Sequence, residues 1–358
     1  MTHIKMLKKR QKNWLKSKNK QTNKQMNCEK TRIGYNPSSL FGSLDVIKFA
    51  RSADHFVKAD SIWMPESWGR EAFVMLGAIS QVTNRIKLGT SIISIFARSP
   101  ATTSMAASTL DTISSNRVII GIGASTPVLA QNWHGIEFCE PLKRMQEFAE
   151  SFTRIVSGDQ VNYDGKFFRI HNFRIMNVST RKRIPMFFGA VNSGMINLAT
   201  KIADGVILYL HPLHRLTDTV RGINSNIGKY KKPFEICSVF ITAISEQYPE
   251  IARQRAAKTL AFYTAVGKYY SKFLAENGFQ SEVSAITEEY KKNGIDQASN
   301  YVSEKMLRSL AIYGDKEDCV RSLRQFMATG ITLPILQVNP VGNPEDSINE
   351  SLLLSNLV

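Results

Sequence analysis

The chain has 358 residues, 43% of them hydrophobic and 21% charged, which is ordinary globular usage over a length that can bury a large core. Its formal charge of +16 lies mostly in the first 32 residues, which hold 11 Lys and Arg against Glu29 alone and carry +10, while the remaining 326 residues carry +6. A disulfide-stapled mini-protein is excluded, and no apolar run reaches the roughly 18 residues that a membrane span needs.

The basic segment, residues 1–31, is rich in Lys, Asn and Gln, with Trp14 as its only aromatic residue. Such a stretch cannot bury enough apolar surface to offset its ordering entropy, so disorder is the expectation. It can be read as a weak, salt-sensitive attachment to nucleic acid or anionic lipid, or as a solvated extension upstream of a start at Met26. Composition favours the second reading. A transit peptide fits less well, because those prefer Arg and Ser to Lys and Asn. Cys28, Cys139, Cys237 and Cys319 lie far apart with no CxxC pair, and no secretory leader precedes them, which points to a cytoplasmic, reducing compartment.

From Arg32 onward short β-rich runs alternate with helical stretches, the pattern of a parallel sheet with crossover helices. The strands fall at residues 32–35, 61–64, 86–93, 117–122, 184–188, 205–209, 236–241 and 331–338. Leu44, Ile47, Phe49 and Ala50 give helical period before the second strand, and Phe73, Leu76, Ile79 and Ser80 before the third. Ser99-Pro100 reads as an N-cap followed by proline at the first helical position. Val118-Ile119-Ile120 is continuously apolar, as a strand buried on both faces should be.

Eight strand and helix pairs suit an α/β fold of the (β/α)8 TIM barrel type over residues 32–345, with an open doubly wound sheet as the rival. Two stretches exceed the minimal repeat. Residues 161–168 carry Asp164-Gly165 between strand-like pieces, a hairpin excursion. Residues 250–313 form a helical insertion in the C-terminal half, where Ala256, Leu260, Tyr263, Gly267, Tyr270 and Leu274 make one stripe ending at Asn277-Gly278, a left-handed C-cap. Residues 346–358 read as a C-terminal tail.

A barrel of this kind places its active site at the C-terminal ends of the strands. There the second strand is followed by Glu66-Ser67-Trp68-Gly69-Arg70, the third by Arg98-Ser99-Pro100, the fourth by Gly121-Ile122-Gly123-Ala124-Ser125, and the fifth by Ala190-Val191-Asn192-Ser193-Gly194. Gly121 and Gly123 would let a flat ligand approach the backbone, or would serve only a tight turn. The N–H groups around Gly194, at the start of a helix, suit a phosphate. Glu66 either belongs to a site or pairs with Arg70 at helical spacing; Arg98 can be a salt-bridged surface residue. His134 is a loop-packing residue or a proton donor. His211 and His214 lack a nearby carboxylate ligand, so no metal is expected. The aromatic residues Phe262, Tyr263, Tyr269, Tyr270 and Phe273 read as core. No nucleophile elbow, phosphate loop or HExxH motif is present, so any difficult chemistry would fall to a bound cofactor.

Taken in order, Ile62-Trp63-Met64-Pro65-Glu66-Ser67-Trp68, Lys87-Leu88-Gly89-Thr90-Ser91-Ile92, Ala97-Arg98-Ser99-Pro100, Asn116 to Gly123 and Ala203-Asp204-Gly205-Val206 resemble the luciferase-like monooxygenase superfamily, most closely its coenzyme F420-dependent branch. The resemblance runs from about Arg32 to about Gly342. It implies a non-prolyl cis peptide at Ser91-Ile92 backing the ring of a flavin or deazaflavin, with Gly121, Gly123, Ala124 and Ser125 bordering the ring and Ala190, Val191, Asn192, Ser193 and Gly194 holding the cofactor phosphate. It also implies Glu66 as the polar group nearest the reacting face and Trp68 as a wall. F420-dependent relatives often carry Asp-His where this chain has Glu66-Ser67; the carboxylate is kept and the titratable imidazole is lost. That departure bears on the substrate class, including the methylene-tetrahydromethanopterin reductase activity of other relatives.

The function expected from the resemblance is hydride exchange between F420 and a small organic substrate. The alternatives are an FMN-dependent monooxygenase supplied by a partner flavin reductase, and a flavin-binding paralogue without turnover. A homodimer is expected by family analogy. No membrane or specific nucleic-acid partner is expected, because +6 over the folded part leaves little for a basic binding face.

Overall fold

The computed structural model describes residues 31–176, 179–230 and 233–358, so the expectation for the basic tail lies outside the described residues. Eight parallel staves close a ring. In chain order they are β1 (Ile33–Pro37), β2 (Ala59–Met64), β3 with β4 (Lys87–Thr90 and Ile93–Ser94), β5 (Val118–Gly123), β8 (Met186–Ala190), β9 (Gly205–Tyr209), β10 (Glu235–Ile244) and β12 (Leu333–Val338). Each stave pairs with the next, and β12 returns to β1 with Asn36 opposite Gln337. The ring is closed, so the fold is the (β/α)8 barrel and the open doubly wound sheet is excluded.

The helices between the staves are α1 (Ser43–Ala53), α2 (Ala72–Ser80), α3 (Pro100–Ile113), α4 (Pro141–Val156), α5 (Ser193–Ile202) and α6 (Leu213–Ile227). Ser99 caps α3 by accepting from the Thr102 N–H at 3.1 Å, with Pro100 at the first helical position as its sequence requires. On α1 the buried stripe is Val46, Phe49, Ala50 and Ala53, and Leu44 faces solvent.

The lumen holds its own core of Trp63, Ile119, Phe187, Ile207, Cys237, Val239, Leu333 and Ile335, drawn from six staves. Trp63 is the largest of these. Its indole N–H donates to Ser61 Oγ at 2.8 Å, and its ring stacks on Phe187 at 5.9 Å between centroids. Two glycines make that possible, since a Cβ on Gly89 would lie 2.2 Å from Trp63 Cε3 and one on Gly34 2.8 Å from its Nε1. At the N-terminal end of the staves Arg32 binds Glu235 at 2.8 Å and Lys87 binds Asp60 at 3.0 Å.

The hairpin excursion is present as β6 (Val161–Asp164) and β7 (Arg169–Phe173), but its turn is wider than Asp164-Gly165 implied. The cause is Glu147 of α4, a buried carboxylate that accepts from the N–H groups of Lys166 at 3.0 Å and Phe167 at 2.8 Å. The insertion begins with α7 (Pro249–Val266) and α8 (Lys268–Leu274), which break at Gly267 where one continuous stripe was expected. Here a Cβ would lie 2.7 Å from the Tyr263 carbonyl oxygen, so only glycine admits the bend. Gly278, at φ 95°, then turns the chain into α9 (Gln280–Asn293). After the short helices α10 (Ile295–Ala298) and α11 (Glu304–Leu310), residues 311–313 are not helical: they belong to β11 (Ala311–Gly314), which pairs with the outer end of β10. Helix α12 (Lys316–Met327) leads into β12.

Residues 346–358 do not form a separate tail. They lie mostly in α13 (Pro344–Asn356), capped by Asn343, whose Leu352 and Leu354 are buried and whose Ser351 carbonyl accepts from the Tyr35 hydroxyl at 3.3 Å. Among the described residues no helix is long and apolar enough to cross a membrane.

The two kinds of glycine make a paired prediction. Gly89→Ala should destabilise the protein by at least about 2 kcal/mol, because Trp63 has no free volume to yield into. Gly77→Ala, in mid-helix with nothing within 4 Å of the added carbon, should stabilise it by roughly 0.5–1 kcal/mol. Urea denaturation of both variants checks this; a harmless Gly89→Ala would refute the packing described.

Candidate active site

The C-terminal ends of the staves surround a mouth where otherwise buried strands become partly accessible, at Ser91, Ile92, Gly189 and Tyr209. The third stave is interrupted there. Its Ser91–Ile92 peptide bond is cis, and Ser91 N–H donates to the Met64 carbonyl at 2.8 Å. Ile92 points its side chain across β5 toward β8. A Cβ on Gly123 would lie 2.6 Å from Ile92 Cδ1, and one on Gly189 3.2 Å from Ile92 Cγ2. A Cβ on Gly121 would lie 2.0 Å from the Thr90 carbonyl oxygen. At Gly121 and Gly123 it is the missing Cβ that lets the third stave pack this closely. The space beside them is filled by the protein's own bulge. Ala124 and Ser125 follow at the rim, half-buried, with Ser125 at φ 61°.

Glu66 is half-buried and does not pair with Arg70. Arg98 grips it in two bonds, Nε to Oε2 at 2.9 Å and Nη2 to Oε1 at 2.5 Å, and also binds Glu71. Arg70 instead donates to the carbonyls of Phe41 at 2.7 Å and Ser38 at 2.8 Å. Burial alone would raise the Glu66 pKa, but the hydrogen bonds and charge of Arg98 outweigh it and hold the carboxyl below its ordinary value. Glu66 is thus an anion at neutral pH, with no proton to give. Arg98 is more than a surface residue: it ties the loop after β2 to the loop before α3.

Trp68 stands half-exposed over the mouth. It meets Trp133 edge-on at 6.0 Å and Phe262 of α7 at 5.4 Å. Phe262 continues to Tyr263, and Tyr263 and Tyr270 both meet Tyr209 edge-on. The insertion's aromatic stripe is therefore only partly core, because it also supplies one wall of the mouth. Tyr209 donates to Gln337 Oε1 at 2.7 Å, and Gln337 Nε2 donates to the Tyr263 hydroxyl at 3.3 Å, which locks α7 to the barrel.

At the end of β8, Ala190 is buried and Val191 half-buried. Asn192 caps α5, its Oδ1 accepting from Met195 N–H at 3.0 Å. The N–H groups of Ser193 and Gly194, the first two of this ten-residue helix, donate to no group among the described residues. Gly194 lies near Leu142 of α4. His134 is exposed. His211 is buried against Phe273 at 4.7 Å, and no group of His, Cys, Asp and Glu among the described residues could hold a metal ion.

These features define a (β/α)8 barrel whose C-terminal mouth is shaped by a bulged third stave and roofed in part by an inserted helix. The family model for luciferase-like monooxygenases matches residues 41–333, and the chain belongs to that family. It is 25% identical over 291 residues to the 5,10-methylenetetrahydromethanopterin reductase of Archaeoglobus fulgidus, an alignment spanning 79% of this chain and 86% of that protein. The coenzyme F420 dependent tetrahydromethanopterin reductase structure from Methanopyrus kandleri superposes with a TM-score of 0.80 at 19% identity, covering 90% of this chain and 97% of that one. The oxygenating constituent of 3,6-diketocamphane monooxygenase from Pseudomonas putida, in complex with FMN, superposes at 0.64 with 16% identity, covering 91% and 96%. At these identities the two structures speak for the fold.

Sequence reasoning missed the Arg98 grip on Glu66, the Tyr209–Gln337–Tyr263 chain and the part played by Trp133 and Phe262. Each joins residues far apart in the chain, and no local spacing announces them. His211 yields a pH prediction. Burial pushes its imidazole down to about 4, so between there and the unfolded value of about 6.5 the unfolded chain binds a proton that the native state refuses. Its contribution to stability is present above about pH 6.5 and is lost as pH falls toward about 4. His211→Gln should therefore flatten the fall in stability across that window. Urea midpoints for both proteins, taken as a difference so that shared carboxylates cancel, check this; parallel curves would contradict it.

Proposed function

We propose that this chain is an oxidoreductase that binds the deazaflavin coenzyme F420 in the mouth of the barrel and exchanges a hydride between it and a small organic substrate. The observation that carries the reading is the free pair of N–H groups at Ser193 and Gly194. They sit at the positive end of the α5 dipole beside the mouth, and they fit a cofactor phosphate. Family membership and the likeness in sequence to a 5,10-methylenetetrahydromethanopterin reductase support it.

When bound, the cofactor supplies two-electron redox chemistry at its ring. The chain's own groups do the rest. Ser193 and Gly194 donate to the phosphate while Asn192 keeps the helix start in place. Ile92 and the backbone of Ser91 present an apolar, closely packed shelf at the bottom of the mouth. Trp68, Trp133 and Phe262 make a wall of ring faces and edges that excludes water and favours an apolar or uncharged substrate. Glu66, held ionised by Arg98, sets the local charge and orients the loop carrying Trp68. It does not act as the acid, and its neighbour in sequence, Ser67, is a hydroxyl that does not titrate near neutrality as an imidazole would.

The second reading, an FMN-dependent monooxygenase served by a flavin reductase, uses the same phosphate donors and is favoured by the missing imidazole. The third, a binding paralogue without turnover, shares the cofactor site. Gly194→Glu tests all three at the phosphate. An added Cβ would lie 3.3 Å from the flexible end of Leu142, so the fold should tolerate it. A carboxylate there should weaken binding of F420 and of FMN at least roughly tenfold, about 1.4 kcal/mol, the size of one charge-assisted hydrogen bond. Fluorescence titration decides; undiminished binding of both by the folded variant would move the phosphate elsewhere.

A further inference from the structure

Asn36 is the penultimate residue of β1 and is 3% exposed. Its direction follows from strand parity. The Cα–H of Gly34 that a Cβ would replace faces Trp63 and Ile335, both of them lumen residues, so Asn36 two positions on faces the lumen one step nearer the mouth. Pairing puts it beside Gln337 on one side and, one step past the Tyr35–Ile62 pair, beside Trp63 on the other.

Its polar neighbours are already engaged. Gln337 is bound to Tyr209 and Tyr263, and Ser61 is bound to the Trp63 indole. Asn36 Oδ1 has no donor, and among the described residues Asn36 is the one side-chain amide with a buried polar atom in that state. A buried amide oxygen without a donor costs folding free energy, and native structures rarely tolerate it. A leucine would fill the same volume without that cost. The group is therefore suited to something that enters the mouth.

We infer that Asn36 is a cofactor-binding residue that pairs with the amide edge of the ring system. A primary amide offers an acceptor and a donor side by side, which is the complement of adjacent N–H and C=O groups. The pyrimidinedione edge of a deazaflavin or a flavin carries that pair: Oδ1 accepts from the ring N3–H and Nδ2 donates to a neighbouring ring carbonyl. This rests on the proposed reading that such a ring occupies the mouth, and it adds an orientation, with the polar edge of the ring turned toward β1 and β12. The phosphate donors at α5 lie across the barrel from it, beyond β8.

The test uses the full-length protein, F420, FMN and the N3-methyl derivative of whichever ring binds. Methylation removes the proton that Oδ1 accepts. The wild type should bind the methylated ring at least tenfold more weakly than its parent. Asn36→Leu should bind the two alike, and should shift the visible absorption band of the bound ring relative to wild type. Asn36→Asp keeps the shape and the acceptor but loses the donor; it should still discriminate against the methyl group while binding the parent ring less tightly than wild type. If Asn36→Leu fails to fold, the Asp variant and the wild-type comparison decide. Equal wild-type binding of parent and methylated rings overturns the inference and leaves the proposed function standing, and so does discrimination by Asn36→Leu equal to that of wild type. Failure of the wild type to bind either parent ring overturns both.

Discussion

The mouth of this barrel takes its shape from one packing relation, the Ile92 side chain lying where Gly123 and Gly189 have no Cβ. Protein interiors are dense enough that such a relation has no slack. With any larger residue at Gly123, Ile92 would be expelled toward the mouth and the bulged third stave could not keep its path. Because the bulge is held from below, Thr90 and Gly121 can exchange hydrogen bonds, Thr90 Oγ1 donating to the Gly121 carbonyl and accepting from its N–H, each at 2.8 Å. That ties the interrupted stave to β5 at the point where the two otherwise part.

Two further constraints act above this shelf. Arg98 fixes Glu66 and Glu71 and so sets the loop after β2, which carries Trp68. The Tyr209–Gln337–Tyr263 chain fixes α7, which carries Phe262. Trp68 and Phe262 meet because two separate polar networks bring them together. The result is a site rich in aromatic surface and poor in groups that titrate near neutrality. In the function proposed above, the chemistry comes from the bound cofactor, and the side chains supply shape, polarity and exclusion of water.

Much of the fold was legible in the sequence, since continuous apolar runs bounded by turn residues mark buried parallel strands. All eight staves fall where those runs predict. Ser99-Pro100 marked the start of α3 through capping chemistry alone. What escaped was whatever depends on distant partners. β11 is four residues long and is a strand only because β10 offers it an edge. The C-terminal helix was read as a tail because the burial of Leu352 and Leu354 depends on the barrel surface beneath them. At the site, the glycines of β5 were recognised as special, but what packs against them was not legible, because sequence shows the missing side chain and not what fills the gap. Glu66 was noticed, while its true partner lies 32 residues away. Asn36, in Asn-Pro-Ser-Ser, looks like ordinary turn composition until its lumen-facing side and its missing partner are seen.

The central claim is that the mouth between the Ser91–Ile92 bulge and the start of α5 holds a deazaflavin or flavin. A crystal structure of the protein with F420, or with FMN where that binds more tightly, tests it most directly. The account predicts the ring against Ile92, beneath Trp68 and Phe262, with the phosphate within hydrogen-bond distance of the Ser193 and Gly194 N–H groups. A ring bound outside the mouth, or a phosphate held anywhere other than the start of α5, would contradict it.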